Sequence, residues 1–192
     1  MTTRHTYHHG DLRRAVLAAA VEVIERDGPA RLSLRDLARR AGVSHAGPVH
    51  HFGDKAGVLT ALATEGYGLL ADALEASPDG DSELVELGVS YVRFAVRHPA
   101  HFAVMFRLDL LHPEDPDLCA ARQRARALLT GGVERVVGDS ATLRPELAGV
   151  AAWSLVHGYA SLHLAGALPE EASGEDVEGV ARAVAALLFR SP

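Results

Sequence analysis

The sequence predicts an all-α protein in two parts, a small N-terminal helical unit followed by a larger helical body. Three observations carry this. Alanine, leucine and valine recur at helical spacing through long segments, and strand-like alternation is missing. Glycine and proline punctuate those segments. Residues 33–55, SLRDLARRAGVSHAGPVHHFGDK, read as two short helices joined by a glycine turn and running into a third. With 192 residues, 48% of them apolar, the chain is long enough to bury a sizeable core.

In chain order, residues 1–9 form a flexible arm, in which Arg4, His5, His8 and His9 can reach phosphate or a minor groove. Asp11 starts the first helix, whose Leu12, Val16, Ala19, Ala20, Val23 and Ile24 make an apolar stripe. Arg13 and Arg14 stand on its outer side, and Gly28 and Pro29 end it. Ser33 N-caps the second helix, which turns Leu34, Leu37, Ala38 and Ala41 to one face. Gly42 supplies the left-handed C-terminal turn, Val43 plugs the angle between the helices, and Ser44 caps the next one. On that third helix His45, Ala46, Gly47 and His50 lie outward, while Val49 and Phe52 face mainly or partly inward. Pro48 falls near the end of the first turn, where a missing N–H costs least. Asp54 caps a fourth helix that runs to about Glu75, and Lys55 beside its N-terminus suits a phosphate. Small residues let a helix sit deep in a major groove, and imidazoles hydrogen-bond base edges or phosphates, so the pattern points to DNA reading.

The body begins after the loop Ser77–Asp81. A helix from Ser82 to about His98 presents Leu84, Leu87, Val89, Tyr91, Val92, Phe94 and Ala95, and His98-Pro99 breaks it. Ala100–Leu110 makes a short aromatic helix, and His112–Pro116 a turn. A long helix from about Asp117 to Val137 buries Leu118, Leu128, Leu129, Val133 and Val136 and exposes most of its arginines. A helix over 142–166 follows, and a last one over 174–189 with a stripe of Val177, Val180, Ala181, Val184, Leu187 and Leu188.

The net charge of −6 argues against nucleic acid only if it is spread evenly. Residues 1–57 hold nine Arg or Lys against six Asp or Glu, +3, and the rest of the chain carries −9. A basic head on an acidic body suits a local DNA contact. Cys119 is the only cysteine, so an intrachain disulfide or cysteine metal site is excluded, as fits a reducing cytoplasm. The N-terminus has no apolar signal region. Residues 147–168 are uncharged and long enough to span a bilayer, but histidines, serines and glycines dilute them and no basic cluster flanks them, so a buried helix is expected. Phosphate loop, nucleophile elbow and paired acids are all missing, so no enzyme and no cofactor is expected.

Residues 10–62, GDLRRAVLAAAVEVIERDGPARLSLRDLARRAGVSHAGPVHHFGDKAGVLTAL, resemble the N-terminal domain of TetR-family transcriptional repressors, nearly without gaps. The resemblance implies a DNA-binding domain over 10–57 and a ligand-binding and dimerisation domain over 58–192. It implies phosphate or base contacts from Arg35, His45, Ala46, Gly47, His50 and His51, with Lys55 as the family's phosphate lysine and Ser33, Ser44 and Val49 in the same surface. Val49 is a departure: family members commonly carry a backbone-touching tyrosine there, and valine leaves only an apolar contact, such as one to a thymine methyl. Trp153, His157 and Gly158 resemble, over a shorter stretch, a C-terminal domain type named for those three residues.

The resemblance further implies a two-fold homodimer through the last two helices, about 142–166 and 174–189, reading a near-palindromic operator with recognition helices about 34–36 Å apart. Gly158, Ala160, Gly166, Ala181 and Ala185 permit the close helix approach this needs. A cavity for an unidentified small effector, mostly apolar with one or two polar groups, is expected among Tyr91, Phe94, His98, Phe102, Met105, Phe106, Trp153 and His157. Trp153 and His157 have a structural alternative, with the imidazole bonded to a backbone carbonyl. Two other readings stay open: a helical ligand-binding protein whose head no longer reads DNA, and a metal-responsive regulator using His98 and His101.

Overall fold

The computed structural model describes residues 9–78, 83–137, 144–170, 173–174 and 176–187. They form nine α-helices: α1 (His9–Asp27), α2 (Leu34–Arg40), α3 (Ala46–Phe52), α4 (Lys55–Glu75), α5 (Glu83–Arg97), α6 (Pro99–Met105), α7 (Pro116–Val137), α8 (Pro145–Leu164) and α9 (Val177–Ala186). The fold is all-α, as the periodicity requires. Most of the arm at residues 1–9, and Thr142, Leu188 and Phe189, lie outside the described residues, and so do the side chains of His9 and Val136.

The chain divides into two compact units, Met1–Gly66 with Ala100–Cys119 and Tyr67–Pro99 with Ala120–Pro192. In the first, Val16, Ala20, Leu37, Ala38, Phe52, Val58 and Leu62 are buried around the crossing of the N-terminal helices. Helix α1 takes in His9 and Gly10, so Asp11 lies inside it and does not start it. Residues 100–119 join this unit because α4 has a glycine where they press on it. A Cβ at Gly66 would come within 2.7 Å of Met105 Sδ and 3.0 Å of His101 Cβ. The His112 N–H donates to Thr60 Oγ1 at 2.8 Å, which gives the buried hydroxyl an internal partner. The aromatic helix expected over 100–110 is two pieces: α6 stops at Met105, and Leu108–Leu110 is a single 3-10 turn entered through Arg107 at φ −96°, ψ 67°.

In the second unit α5 is the central rod. Leu84, Leu87, Val89, Tyr91, Val92, Phe94 and Ala95 are all buried, and α8 and α9 pack against it. Gly88 sets that approach, since a Cβ there would lie 3.1 Å from Val156 Cγ1 and 3.2 Å from Ala185 Cβ. Arg93 donates to both carboxylate oxygens of Glu178 on α9, at 2.6 and 2.7 Å, and holds that carboxyl below its ordinary pKa. On α7, Leu118 and Val133 are buried as the stripe predicts, Leu128 and Leu129 only partly, and Ala125 is buried where no expectation placed it. Of the α9 stripe, Ala181 is buried and Val177, Val180 and Val184 are half-buried, while Leu187 is 65% exposed; Ala185 is buried beside them.

Helix α8 has two faces. Val156, Tyr159 and Ala160 go inward. The other face carries Leu147, Val150, Ala151, Ser154, Gly158, Ser161, Leu162 and Ala165, which share one side at helical spacing and include no charge. Leu147, Val150 and Leu162 are exposed, and among the described residues nothing lies within 4 Å of where a Gly158 Cβ would be. No helix among the described residues is long and apolar enough to cross a membrane.

Candidate nucleic-acid interface

Local chemistry builds the α2–α3 corner. Ser33 Oγ accepts from Asp36 N–H at 3.3 Å and caps α2 as expected. At the other end Val43 N–H reaches Ala38 C=O at 3.0 Å and Gly42 N–H reaches Arg39 C=O at 3.3 Å, with Gly42 at φ +66°. This pair of bonds is a Schellman motif, and its left-handed position is why a glycine stands there. Ser44 does not cap α3. His45 occupies the N-cap in helical conformation without a side-chain bond, and Ser44 contributes its carbonyl to Gly47 N–H at 3.0 Å. Pro48 is the third residue of α3, where its lack of an N–H leaves no intrahelical bond unmade.

Phe52 is buried as expected, and Arg13 of α1 lies over its ring at 5.3 Å from the centroid, a cation–π contact at the rim of the core. Val49 differs from expectation. It is 51% exposed, because Pro48 and Phe52 take the inward positions of a helix only seven residues long. Gly47 also differs: its missing side chain points at α1, where a Cβ would meet Leu12 Cδ1 at 3.1 Å. The residues of α3 standing in solvent are therefore Ala46, Val49 and His50, with His45 just before them and His51 half-buried.

Beside this face is an open cleft of about 490 Å³ lined by Ser33, Arg35, Asp36, Arg39, Val43 and His45. Asp36 accepts from Arg40 at 2.6 Å and from Arg39 at 2.5 Å, and the two guanidiniums hold its carboxyl below the usual carboxylate range. Arg35 and His45 have no hydrogen-bond or ion-pair partner among the described residues. The cleft thus offers an uncommitted guanidinium and imidazole, the donor set suited to a phosphate or a base edge. Lys55 is partly committed: Nζ donates to the Ala30 carbonyl at 2.8 Å, which leaves two of its three protons.

Two supports escaped the sequence reading. Asp54 caps α4 as expected, accepting from Gly57 N–H at 2.8 Å, and that bond is the main reason its carboxyl titrates low. Its Oδ1 also lies 3.1 Å from His112 Nε2, a pairing 58 residues apart. Gly57 is required by contact: a Cβ there would sit 1.8 Å from the Phe52 carbonyl oxygen. A glycine three residues into a helix was the available signal. Arg39, which lines the cleft, was the other omission.

The expected effector-lining residues are divided between the two units. Phe102, Met105 and Phe106 belong to the first unit, and Tyr91, Phe94, His98, Trp153 and His157 to the second. Tyr91, Phe94, Phe102 and Met105 are buried as packing. The depression that Trp153 lines encloses about 30 Å³, room for one water, between Leu84, Leu87, Leu129, Val133 and Val156. What the second unit does assemble is a polar chain. Trp153 Nε1–H donates to the Tyr91 hydroxyl oxygen at 3.2 Å, and the hydroxyl lies 2.8 Å from His157 Nδ1. Burial lowers the imidazole and raises the phenol from their ordinary pKa values, which favours the neutral form of both, and the donor across their contact follows from the imidazole tautomer. The Nδ1 partner of His157 is thus a side-chain hydroxyl, that of Tyr91. Among the described residues no three His, Cys, Asp or Glu meet in a group that could hold a metal.

Residues 16–62 match the family model described as bacterial regulatory proteins, tetR family, and residues 84–188 match that of the tetracyclin repressor-like C-terminal domain. Among solved structures, a protein with unknown function from Rhodococcus sp. RHA1 is 33% identical, with TM-score 0.78 over 97% of this chain and 98% of that one. The TetR family transcriptional regulator PfmR from Thermus thermophilus is 28% identical, with TM-score 0.69 over 92% and 97%. A bacterial regulatory protein in the tetR family from Rhodococcus RHA1, 20% identical with TM-score 0.73 over 93% and 95%, shares the fold. No curated protein matches the chain.

Proposed function

The chain belongs to the TetR family of bacterial transcriptional regulators, and from that premise we propose that it is a ligand-responsive, homodimeric repressor of a near-palindromic operator. The observation that carries the DNA half is the solvent face of the α2–α3 corner. There Arg35 and His45 stand over the cleft without partners among the described residues, beside Ala46, Val49 and His50. Arg35 takes a phosphate, the histidines take phosphate or base edges, and Lys55 adds a phosphate contact with its remaining protons.

Dimerisation is supported by α8. Its uncharged outward face leaves Leu147, Val150 and Leu162 in water, and Gly158 has open space beside it. A second copy of the same face removes that apolar surface and lets two backbones approach closely at the glycine, in the isologous arrangement of a two-fold pair. Each subunit then offers α3 to one of two successive major grooves, about 34–36 Å apart. The effector half rests on the Trp153–Tyr91–His157 chain. It includes a partly exposed aromatic, Trp153, and an apolar molecule with one or two polar atoms can displace its members. An effector worth about 1–3 kcal/mol of coupling changes operator affinity about 5- to 150-fold.

The test is fluorescence anisotropy on duplexes enriched from random DNA, across a salt series, with Arg35→Ala and His50→Ala beside the parent. Specific binding by two chains per duplex, weakened by both substitutions, is the expected result. Sequence-blind binding that neither substitution changes refutes the DNA half.

A further inference from the structure

The reading face of α3 is unusual in what it lacks. Its exposed residues His45, Ala46, Val49 and His50 share one side of the helix, and the middle two have only carbon in their side chains. Val49 is a branched apolar residue kept half in water by a helix that buries Pro48 and Phe52 beneath it. Gly47, turned toward Leu12, offers no side chain to the outside.

Resting on the DNA-binding reading above, we propose that Val49 is a specificity-determining residue that reads the C5-methyl of a thymine. In the major groove every base pair presents hydrogen-bonding groups, and the thymine methyl is the one apolar feature among them. A valine against that methyl removes two carbon surfaces from water. The same valine against guanine O6 and N7, or against a cytosine amino group, strips water from a polar atom and returns no bond, which is unfavourable. One side chain therefore selects A·T in both senses, by attraction to the methyl and by penalty against G·C. Valine reaches only a short way from the helix axis, so α3 has to lie deep. The long exposed side chains that reach past it, Arg35 and Arg39, stand on α2 beside the cleft, on the side where backbone phosphates flank a deeply seated helix. Sequence selection by a methyl and positioning by guanidiniums are thus separate tasks carried by separate helices.

The experiment is a uracil scan. A duplex enriched by the protein from random DNA is remade with deoxyuridine for each thymine in turn, a change that removes the C5-methyl and nothing else. Anisotropy is measured with the parent protein, Val49→Ala and Arg35→Ala. Val49 is exposed, so its truncation leaves folding unchanged, and circular dichroism verifies this. We expect one thymine per half-site whose uracil lowers parent affinity about fourfold, the worth of one buried carbon group. Val49→Ala should bind the thymine duplex about as weakly and ignore the uracil, while Arg35→Ala should still sense it. A flat scan with the parent protein, or a uracil penalty that persists in Val49→Ala at every position, overturns the proposal and leaves the DNA-binding reading standing. Failure of the parent protein to enrich any duplex overturns both.

Discussion

At the α2–α3 corner the residues of functional interest stand in water, and others, Leu37, Ala38 and Phe52, hold the backbone beneath them. Around Tyr91 the polar group is rooted in the core: the phenol is fully buried, and its partners, the partly exposed Trp153 and half-buried His157, sit on the neighbouring helix. At the corner, the side chains proposed to bind DNA are not those that hold the fold, so one set can be altered without the other. In the body the side chains proposed to meet an effector include buried ones, so a ligand that reached Tyr91 would have to displace core. That difference orders what substitutions should do.

The largest effect is expected on the face of the body proposed to meet a second copy. Val150→Asp puts a charge on the uncharged outer face of α8, and sedimentation should shift from two chains to one with helicity kept. A dimer that persists breaks the assignment of that face. Gly57→Ala should be nearly as severe, because the added methyl meets the Phe52 carbonyl at 1.8 Å. A loss of about 3 kcal/mol in thermal or denaturant unfolding is expected, along with loss of DNA binding, and an unperturbed melt would contradict the geometry. Arg35→Ala should leave stability within about 0.5 kcal/mol. It should also cut operator affinity several-fold and lower the slope of affinity against salt by about 1. If stability falls instead, the separation of tasks at the corner fails.

The smallest effect sharpens the body's side of the comparison. Burial lowers the His157 pKa in the fold, so the unfolded chain binds that proton first as pH falls. Above the ordinary imidazole range the group is neutral in both states and has no effect. As pH falls through that range toward the depressed folded value, stability is lost. Urea melts of the parent at pH 7 and pH 5 should show this loss in part, by less in His157→Leu, and equal differences in the two would remove the histidine from the account.

Several features of the corner were legible because they are local. Ser33, Gly42 and Asp54 each act within five residues of themselves, through caps that residue type announces. Val49 was misjudged for a related reason. A branched apolar residue reads as inward, but in a seven-residue helix Pro48 and Phe52 had already filled the inward positions. Ser44 likewise resembles a cap that the backbone moved one residue along to His45. The body was legible as helices and stripes. Trp153 and His157 announce a shared face four residues apart, yet their common partner Tyr91 lies more than 60 residues away. Nor can residue type alone tell an aromatic that lines a cavity from one that fills it. The attachment of His112 to Thr60 and Asp54 is equally nonlocal, and no spacing rule reveals it.

The central claim is that one surface reads DNA while another pairs the chains. Amide hydrogen exchange with and without an enriched duplex tests it most directly. Slower exchange on binding should concentrate between Ser33 and Lys55, while α8 amides, covered by the second copy in the proposed dimer, stay as they were. Protection that appears along α8 only when DNA is added, or none between Ser33 and Lys55, would contradict that division of surfaces.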